Sequence, residues 1–223
     1  MKFLALCILS FLIGCASPDL EFKNKEPLYT KINIEIAVVG CDPDTDALSF
    51  FKERLLHYHI CKSVEIQQHL DSNNLPIGYQ QFVGVWNHAT LELFEHTHRQ
   101  SPVSKNLKEI NIFVAYLPGV YSEGKFVNLA GIQYTHNSFA IFKQHASNVE
   151  SSVLLHEFGH ILGIADDSHS PGRKPSNPDR PDHCCNSDCV MFWVLSEKDQ
   201  DFDEDCKKEI LKLFEPKLDK LNK

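Results

Sequence analysis

The hydrophobic pattern of the sequence predicts an α+β domain with the outline of a three-layer α/β structure. Short apolar segments alternate with two amphipathic helical patterns, and a third helical pattern, an irregular segment and a last helical pattern follow. The chain has 223 residues, of which 43% are hydrophobic and 23% charged, a composition that suits one domain with a continuous core. We therefore expect a twisted mixed sheet covered by helices.

Two patterns recur in the part of the chain before residue 143. Runs rich in β-branched and aromatic residues predict strands, and apolar side chains at helical spacing predict helices. The predicted strands are 32–39, 64–68, 110–116, 126–134 and 139–142, and the predicted helices are 46–61 and 85–98.

The remaining part of the chain predicts two helices separated by a long loop. Ser147 and Glu150 have the spacing of a capping box, and Gly163 ends the apolar periodicity, so a helix of about four turns is expected between them. The segment 166–183 is rich in Pro, Ser, Asp and Asn and predicts an irregular loop. The segment 196–218 predicts a C-terminal amphipathic helix.

The first of these helices carries the strongest chemical signal. His156 and His160 are four positions apart, so a helix places both imidazoles on one face, where they can bind one metal ion. Such an ion lowers the pKa of a bound water and polarises a carbonyl, and an adjacent carboxylate can move the proton to the leaving amine. Glu157 stands beside the first histidine. The pattern predicts a zinc hydrolase with Glu157 as general base and acid.

The residues after His160 resemble the metzincin family of zinc peptidases. In that family a Gly turns the chain and a residue three positions later returns to the metal, and Gly163 and Asp166 stand at these positions. Most metzincins have His where this chain has Asp166; snapalysin-like members have Asp, and a carboxylate oxygen also binds zinc. The resemblance implies a metzincin-like sheet, Met-turn and zinc metalloendopeptidase activity, with Asp166 as third ligand and His169 as a lesser alternative.

The stretch 183–191 resembles the archaemetzincins more specifically. There the third His directly precedes a Cys, four residues separate that Cys from another, and a Met follows two positions later; His183, Cys184, Cys189 and Met191 match this order. His183 is therefore the main alternative to Asp166 as third ligand, if the preceding loop projects outward. Met191 is expected to form the Met-turn, an apolar floor beneath the ligands.

The cysteines allow two interpretations. Archaemetzincins hold a second zinc with four cysteines, and the resemblance places Cys184, Cys189 and Cys206 at three of these positions but Asp203 at the fourth. This departure argues against a second, structural zinc. Six cysteines remain outside the N-terminal segment, an even number that favours disulfides in an exported chain, although their pairing stays open. They are Cys41, Cys61, Cys184, Cys185, Cys189 and Cys206.

The resemblance also concerns substrate binding. Metzincins pair extended peptides with an edge strand, and the segment 129–134 precedes the histidine helix where that strand is expected. Phe192 and Trp193 follow Met191, where some metzincins have a Tyr, and either line a substrate pocket or join the core.

Two rival functions remain open. A gluzincin-type peptidase takes its third ligand from a Glu on a downstream helix, and Glu197 with Asp201 has a compatible spacing. A catalytically inactive zinc-binding surface lipoprotein is the other rival, although it has no use for Glu157.

The N-terminus predicts export and a lipid anchor. Residues 1–14 contain one Lys and an apolar run too short to cross a bilayer as a stable helix, which is typical of a signal peptide. The run ends before Cys15 in a sequence that resembles the bacterial lipobox, which implies a lipidated Cys15, a tether over 15–27 and a peptidase domain over 28–223. The expected location is a bacterial cell envelope.

The charge of the chain bears on its partners. With 30 acidic and 22 basic residues, the net charge is -8, and no basic stretch with interleaved aromatic residues is present. A nucleic-acid partner is therefore not expected. The predicted partners are a peptide or protein substrate and, through the lipid, a membrane.

Overall fold

The computed structural model describes residues 21–70, 84–124, 126–165 and 182–215. Its strands are β1 (Lys31–Val38), β2 (Val64–Leu70), β3 (Val85–Trp86), β4 (Glu109–Leu117), β5 (Val120–Glu123), β6 (Phe126–Val127), β7 (Gly131–Thr135) and β8 (Ser138–Phe142). Its helices are α1 (Thr45–His57), α2 (His88–His98), α3 (Lys143–Ala146), α4 (Glu150–Leu162) and α5 (Glu204–Lys212).

Five strands form one mixed sheet in the order β2-β1-β4-β8-β7. The first four strands of this order are parallel to one another, and β7 pairs antiparallel with β8. The predicted edge strand within 129–134 therefore lies at an edge of the sheet as β7. A smaller sheet contains β3, β5 and β6. Strand β5 was not predicted from the sequence, because it directly follows the Pro118-Gly119 turn that ends β4.

The main sheet is buried on both faces, which produces the three-layer outline. Val114 of β4 lies in a core with Phe51 of α1 and Phe158 of α4, whose rings are 5.5 Å apart. The preceding residue of β4, Phe113, lies in a second core with Phe94 of α2. Successive side chains of a strand point to opposite faces, so β4 contributes to both cores. The predicted α+β class with a twisted mixed sheet is confirmed.

Three predicted elements differ in their extent. The predicted helix 85–98 begins with strand β3, and α2 starts only after Asn87, whose side chain forms a capping box with Thr90. The predicted strand 126–134 is interrupted near Asn128, whose φ of 55° is left-handed and incompatible with an extended strand. The last helix starts after Asp203, whose side chain accepts from the backbone N–H of Cys206, so α5 is shorter than predicted.

The predicted capping box of the histidine helix is absent. Helix α4 begins after Val149, which makes no side-chain cap, and Glu150 is buried. Its carboxylate accepts from the backbone N–H of Asp44 at 2.7 Å and from the hydroxyl of Tyr116 at 3.0 Å, and it forms an ion pair with Lys143. Glu150 therefore anchors the start of α4 to the rest of the domain instead of to its own backbone.

The segment before β1 belongs to the domain. Phe22 is fully buried, and its ring lies 5.0 Å from that of Tyr58 and 6.3 Å from that of Phe214. Burying an aromatic ring favours a fixed position by about 2 kcal/mol. The division into a tether over 15–27 and a domain over 28–223 stays a prediction. Cys15 and the predicted signal segment 1–14 lie outside the described residues. Within the described ranges, every helix is too short or too polar to cross a membrane.

Candidate metal centre and active site

Helix α4 brings His156 and His160 together as predicted. Their Nε2 atoms are 3.1 Å apart, and two nitrogens bound to one tetrahedral zinc at about 2.0–2.1 Å lie about 3.3 Å apart. The helix ends at Gly163, whose φ is 74° and whose N–H donates to the carbonyls of Gly159 and His160. This left-handed position favours Gly, so the predicted helix end is confirmed.

His183 lies next to these two histidines. One ring nitrogen from each of the three side chains lies within 4.8 Å of the others. The ring of His183 is 5.2 Å from that of His156 and 5.1 Å from that of His160. Asp166 and His169 lie outside the described residues. Among the described residues, His183 is therefore the third side chain that completes a metal-binding group here.

A backbone carbonyl orients His156. Its Nδ1–H donates to the carbonyl oxygen of Val190 at 2.7 Å, and the N–H of Val190 donates to the carbonyl of Asp201 at 2.8 Å. Because Nδ1 carries the proton, Nε2 is left with a lone pair that points toward His160. No local pattern in the sequence indicates this contact, since it depends on a loop that returns to α4.

Burial keeps the two helix histidines neutral. Loss of hydration lowers the pKa of His156 to about 4, although the bond to Val190 opposes this change. Burial also lowers the pKa of His160 well below its usual value, and nearby His156 and His183 lower it further. Neutral imidazoles are the form that binds metal ions. Two neutral helix imidazoles and the converging nitrogen of His183 therefore fit zinc.

Glu157 is buried beside the histidines and against the edge strand. Burial raises the pKa of its carboxyl group to about 8, while the backbone N–H of Gln133 lowers it. Gly131 makes the close approach of β7 to this carboxyl group possible, because a Cβ atom there would lie 2.7 Å from Oε1. Neither Gly131 nor Gln133 was identified from the sequence, since their role depends on the pairing of α4 with β7.

Met191 lies beneath the histidine helix. It is fully buried, and a Cβ atom on Gly159 would lie 2.3 Å from its sulfur. Gly159 stands between the two helix histidines in the sequence, so its missing side chain lets the thioether approach the backbone there. This position agrees with the predicted floor.

A second group of ligand atoms includes the thiol of Cys184, the residue that follows His183. The thiols of Cys184, Cys189 and Cys206 and a carboxylate oxygen of Asp203 lie within 4.8 Å of one another. Cys184 Sγ is 3.1 Å from Asp203 Oδ2, and Cys189 Sγ is 3.6 Å from Cys206 Sγ. Hydrogen bonds from Cys189 and Cys206 lower the pKa of the Cys184 thiol. This set of donors is suited to a metal ion.

The other predicted residues lie elsewhere. Glu197 is exposed and is not part of either metal-binding group in the described residues. Phe192 is half-buried and Trp193 is 45% exposed, so neither belongs to the core. The six cysteines that the structure describes are not joined by disulfides, and their disulfide pairing stays a prediction.

The fold is similar to that of solved metallopeptidases. An archaemetzincin from Methanopyrus kandleri gives a TM-score of 0.53 with 14% identity over 83% of this chain and 95% of that chain. An archaemetzincin from Archaeoglobus fulgidus, complexed with malonate, gives 0.45 with 15% identity over 80% and 99%. Metalloproteinase-II from Bacteroides fragilis gives 0.49 with 13% identity over 88% of this chain and 60% of that chain. No family model matches the sequence. The chain thus has a metallopeptidase-like fold, that of the Methanopyrus archaemetzincin.

Proposed function

We propose that this protein is a zinc-dependent metallopeptidase that hydrolyses peptide bonds. The observation that carries this proposal is the group of three converging imidazoles, with the buried carboxyl group of the residue after His156, Glu157, lying against strand β7. His156, His160 and His183 would hold the zinc. Asp166 is the competing third ligand, because it stands three positions after the turn at Gly163.

Each residue has a distinct role in this proposal. Zinc in the histidine group would supply a Lewis acid that lowers the pKa of a water and polarises the substrate carbonyl. Glu157 accepts a proton from the attacking water and donates it to the leaving amine. In the metal-free protein, burial raises the pKa of this carboxyl group to about 8, so the site itself favours its protonated form. Val190 holds His156 in the tautomer that leaves Nε2 free.

Strand β7 would position the substrate. Among the described residues it pairs with β8 alone and ends the five-stranded order, so its other edge offers backbone N–H and C=O groups. An extended peptide that adds to this edge passes beside Glu157, because the carboxyl group lies against Gly131.

The test uses the full chain with zinc, a peptide library and four variants. We expect one catalytic zinc per chain and peptide hydrolysis that falls about 100- to 10000-fold in Glu157→Gln with zinc retained. The zinc affinity of the histidine site should fall more than about 100-fold in His183→Ala and should not change in Asp166→Ala. Glu197→Ala is the control for the rival ligand Glu197. Full zinc occupancy without hydrolysis would favour the inactive zinc-binding protein and overturn the enzyme. Loss of affinity only in Asp166→Ala would overturn His183 as ligand.

Contrary to the expectation from the sequence, which favoured disulfides over a second zinc, we also infer that Cys184, Cys189, Cys206 and Asp203 bind a second metal with a structural role. The distance of 3.6 Å between two of the sulfurs is close to the separation of about 3.8 Å for thiolates on one tetrahedral zinc. Asp203 can take part because its Oδ1 caps α5 while Oδ2 faces Cys184. Two zinc ions per chain are expected, and one in Cys206→Ser. Disulfide bonds in the purified protein, detected by mass spectrometry, would contradict this inference.

For the N-terminus, we propose the anchored form that the lipobox resemblance implies. The signal segment 1–14 is removed and Cys15 is lipidated, which holds the peptidase at a bacterial membrane. Mass spectrometry of the mature N-terminus tests this proposal. Replacement of Cys15 by Ser should release the protein from the membrane fraction, and an unmodified Cys15 in the native protein would refute the anchor.

A further inference from the structure

An open cleft of about 810 Å³ lies at the end of β7 that is farther from Glu157. Its walls come from the second half of α2, from residues 100–103 and from the turn between β7 and β8. Tyr134 and Thr135 of β7 form part of the wall. The cleft and the candidate active site therefore share one strand.

A peptide on the free edge of β7 would reach this cleft. Glu157 contacts the strand at Gly131 and Gln133, and the cleft begins at Tyr134 and Thr135. Extended chains advance by about 3.3 Å per residue, so the cleft lies about 7 to 14 Å, or about two to four residues, from the scissile bond. Only an extended peptide occupies both places at once.

The side chains of the cleft suit a long cationic group. Glu95 is neutralised by its ion pair with Arg99 and accepts from the hydroxyl of Ser138 at 2.7 Å. Glu92 has a side chain that is 56% exposed, and its ion-pair partner among the described residues is His88, at 3.4 Å, which is charged only when protonated. The cleft therefore carries one uncompensated negative charge when its histidines are neutral.

An apolar surface lies in the same cleft. Pro102 and Val103 line it, and Val103 is 58% exposed. Lysine and arginine side chains place their methylene groups on apolar surface and keep the charged end in water. The net charge of -8 also attracts cationic peptides at long range.

We propose that this cleft binds a lysine or arginine side chain of the peptide substrate, about two to four residues from the scissile bond, with Glu92 as the specificity-determining residue. The proposal rests on the proposed peptidase function and extends it from the reaction to the choice of substrate. The aliphatic part of the substrate side chain lies on Pro102 and Val103, and its charged end lies beside Glu92.

The test is a series of quenched fluorescent peptides in which one Lys moves along an otherwise uncharged sequence, with the cleaved bond identified by mass spectrometry. We expect kcat/KM to rise about three- to fivefold when Lys stands at one position within two to four residues of that bond. The rise should come from KM, because the contact is remote from the reacting atoms. Glu92→Gln should abolish the preference, and Glu92→Lys should reverse it in favour of Glu at that position. Glu53→Gln is the matched control, since Glu53 is exposed on α1 and is not part of the cleft.

The outcomes separate the two proposals. Hydrolysis without a preference for Lys, or with the same preference in Glu92→Gln, overturns this inference and leaves the peptidase intact. If Glu53→Gln also removes the preference for Lys, that preference depends on the net charge of the protein. This outcome overturns the role of the cleft as well. No hydrolysis of any peptide by the zinc-loaded parent overturns the peptidase and, with it, the substrate subsite.

Discussion

Gly131 offers a direct test of how β7 positions the Glu157 carboxyl group. A Cβ atom on Gly131 would lie 2.7 Å from Glu157 Oε1 and 2.6 Å from Val153 Cγ1. Ordinary contacts between such atoms are about 3.5 Å or longer, so Gly131→Ala must displace the carboxyl group, the strand or both by about 1 Å. Gly131 is not among the described residues with positive φ, so Ala adds no backbone strain of its own.

A displacement of this size has a specific effect on the reaction. We expect kcat/KM of Gly131→Ala to fall about 100-fold, because proton transfer depends on the position of the carboxylate. The overlap with Val153 should lower the free energy of unfolding by about 1 to 3 kcal/mol. Zinc stoichiometry should stay the same, because the three atoms nearest to the new methyl group belong to Val153 and Glu157 and not to a histidine.

The assay combines peptide hydrolysis, zinc analysis and thermal unfolding of the full chain. Ile132→Val is the matched control, since it removes one methyl group from the same strand in the other core, and its activity should stay near that of the parent. A folded Gly131→Ala protein with full zinc and the parental kcat/KM would refute the idea that β7 fixes the carboxyl group.

Three further predictions concern the same helix. Gly159→Ala gains about 1 kcal/mol of helix propensity, but its new methyl group overlaps the Met191 sulfur at 2.3 Å. Because this overlap costs about 1 to 3 kcal/mol, we expect a net loss of stability in thermal unfolding. An increase in Tm would contradict the packing of Met191 against α4. Glu150→Gln leaves Lys143 without its buried carboxylate and should destabilise the protein by about 2 to 4 kcal/mol, measured by urea unfolding; an unchanged midpoint would contradict the role of Glu150 as an anchor. The pKa of Glu157 is raised from 4.5 to about 8 in the folded metal-free protein, so the folded state binds more protons than the unfolded state between these values and loses stability as pH rises through them. Metal-free Glu157→Gln should therefore gain stability relative to the parent from pH 4.5 to 8, by an amount on the order of 3 kcal/mol, and a pH-independent difference would exclude this effect.

Local signals were sufficient for the sheet and for the first two ligands. The strands of the main sheet have continuous or alternating apolar patterns because one or both faces are buried, so periodicity indicates them directly. His156 and His160 needed only helical spacing, and Gly163 needed only the left-handed backbone of a helix end. These features depend on residues close together in the sequence.

Tertiary contacts account for the features that could not be predicted. Ser147 and Glu150 have the spacing of a capping box, but Asp44, Tyr116 and Lys143 provide Glu150 with stronger partners, so α4 begins without that box. The spacing cannot reveal this competition, because the partners come from β4, from the segment before α1 and from α3.

The third ligand was ambiguous for a related reason. Asp166 is close to His160 in sequence, and a turn at Gly163 is enough to bring it back, so local geometry favours it. His183 requires the chain to return after a long irregular segment, and no periodic pattern records where such a segment ends. The match of residues 183–191 to the archaemetzincin order was the one sequence signal for the arrangement with His183.

The compactness of residues 183–191 has a structural consequence. His183 and Cys184 are consecutive, and one lies in the histidine group while the other lies in the cysteine group. Cys189 and Val190 are also consecutive, and Cys189 belongs to the cysteine group while Val190 holds the ring of His156. The N–H of Cys184 donates to the carbonyl of Met191 at 2.8 Å, which closes the turn on itself. An ion or bond that fixes Cys184 and Cys189 therefore also restrains His183 and the Val190 carbonyl that orients His156, because a single peptide unit separates the residues of each pair.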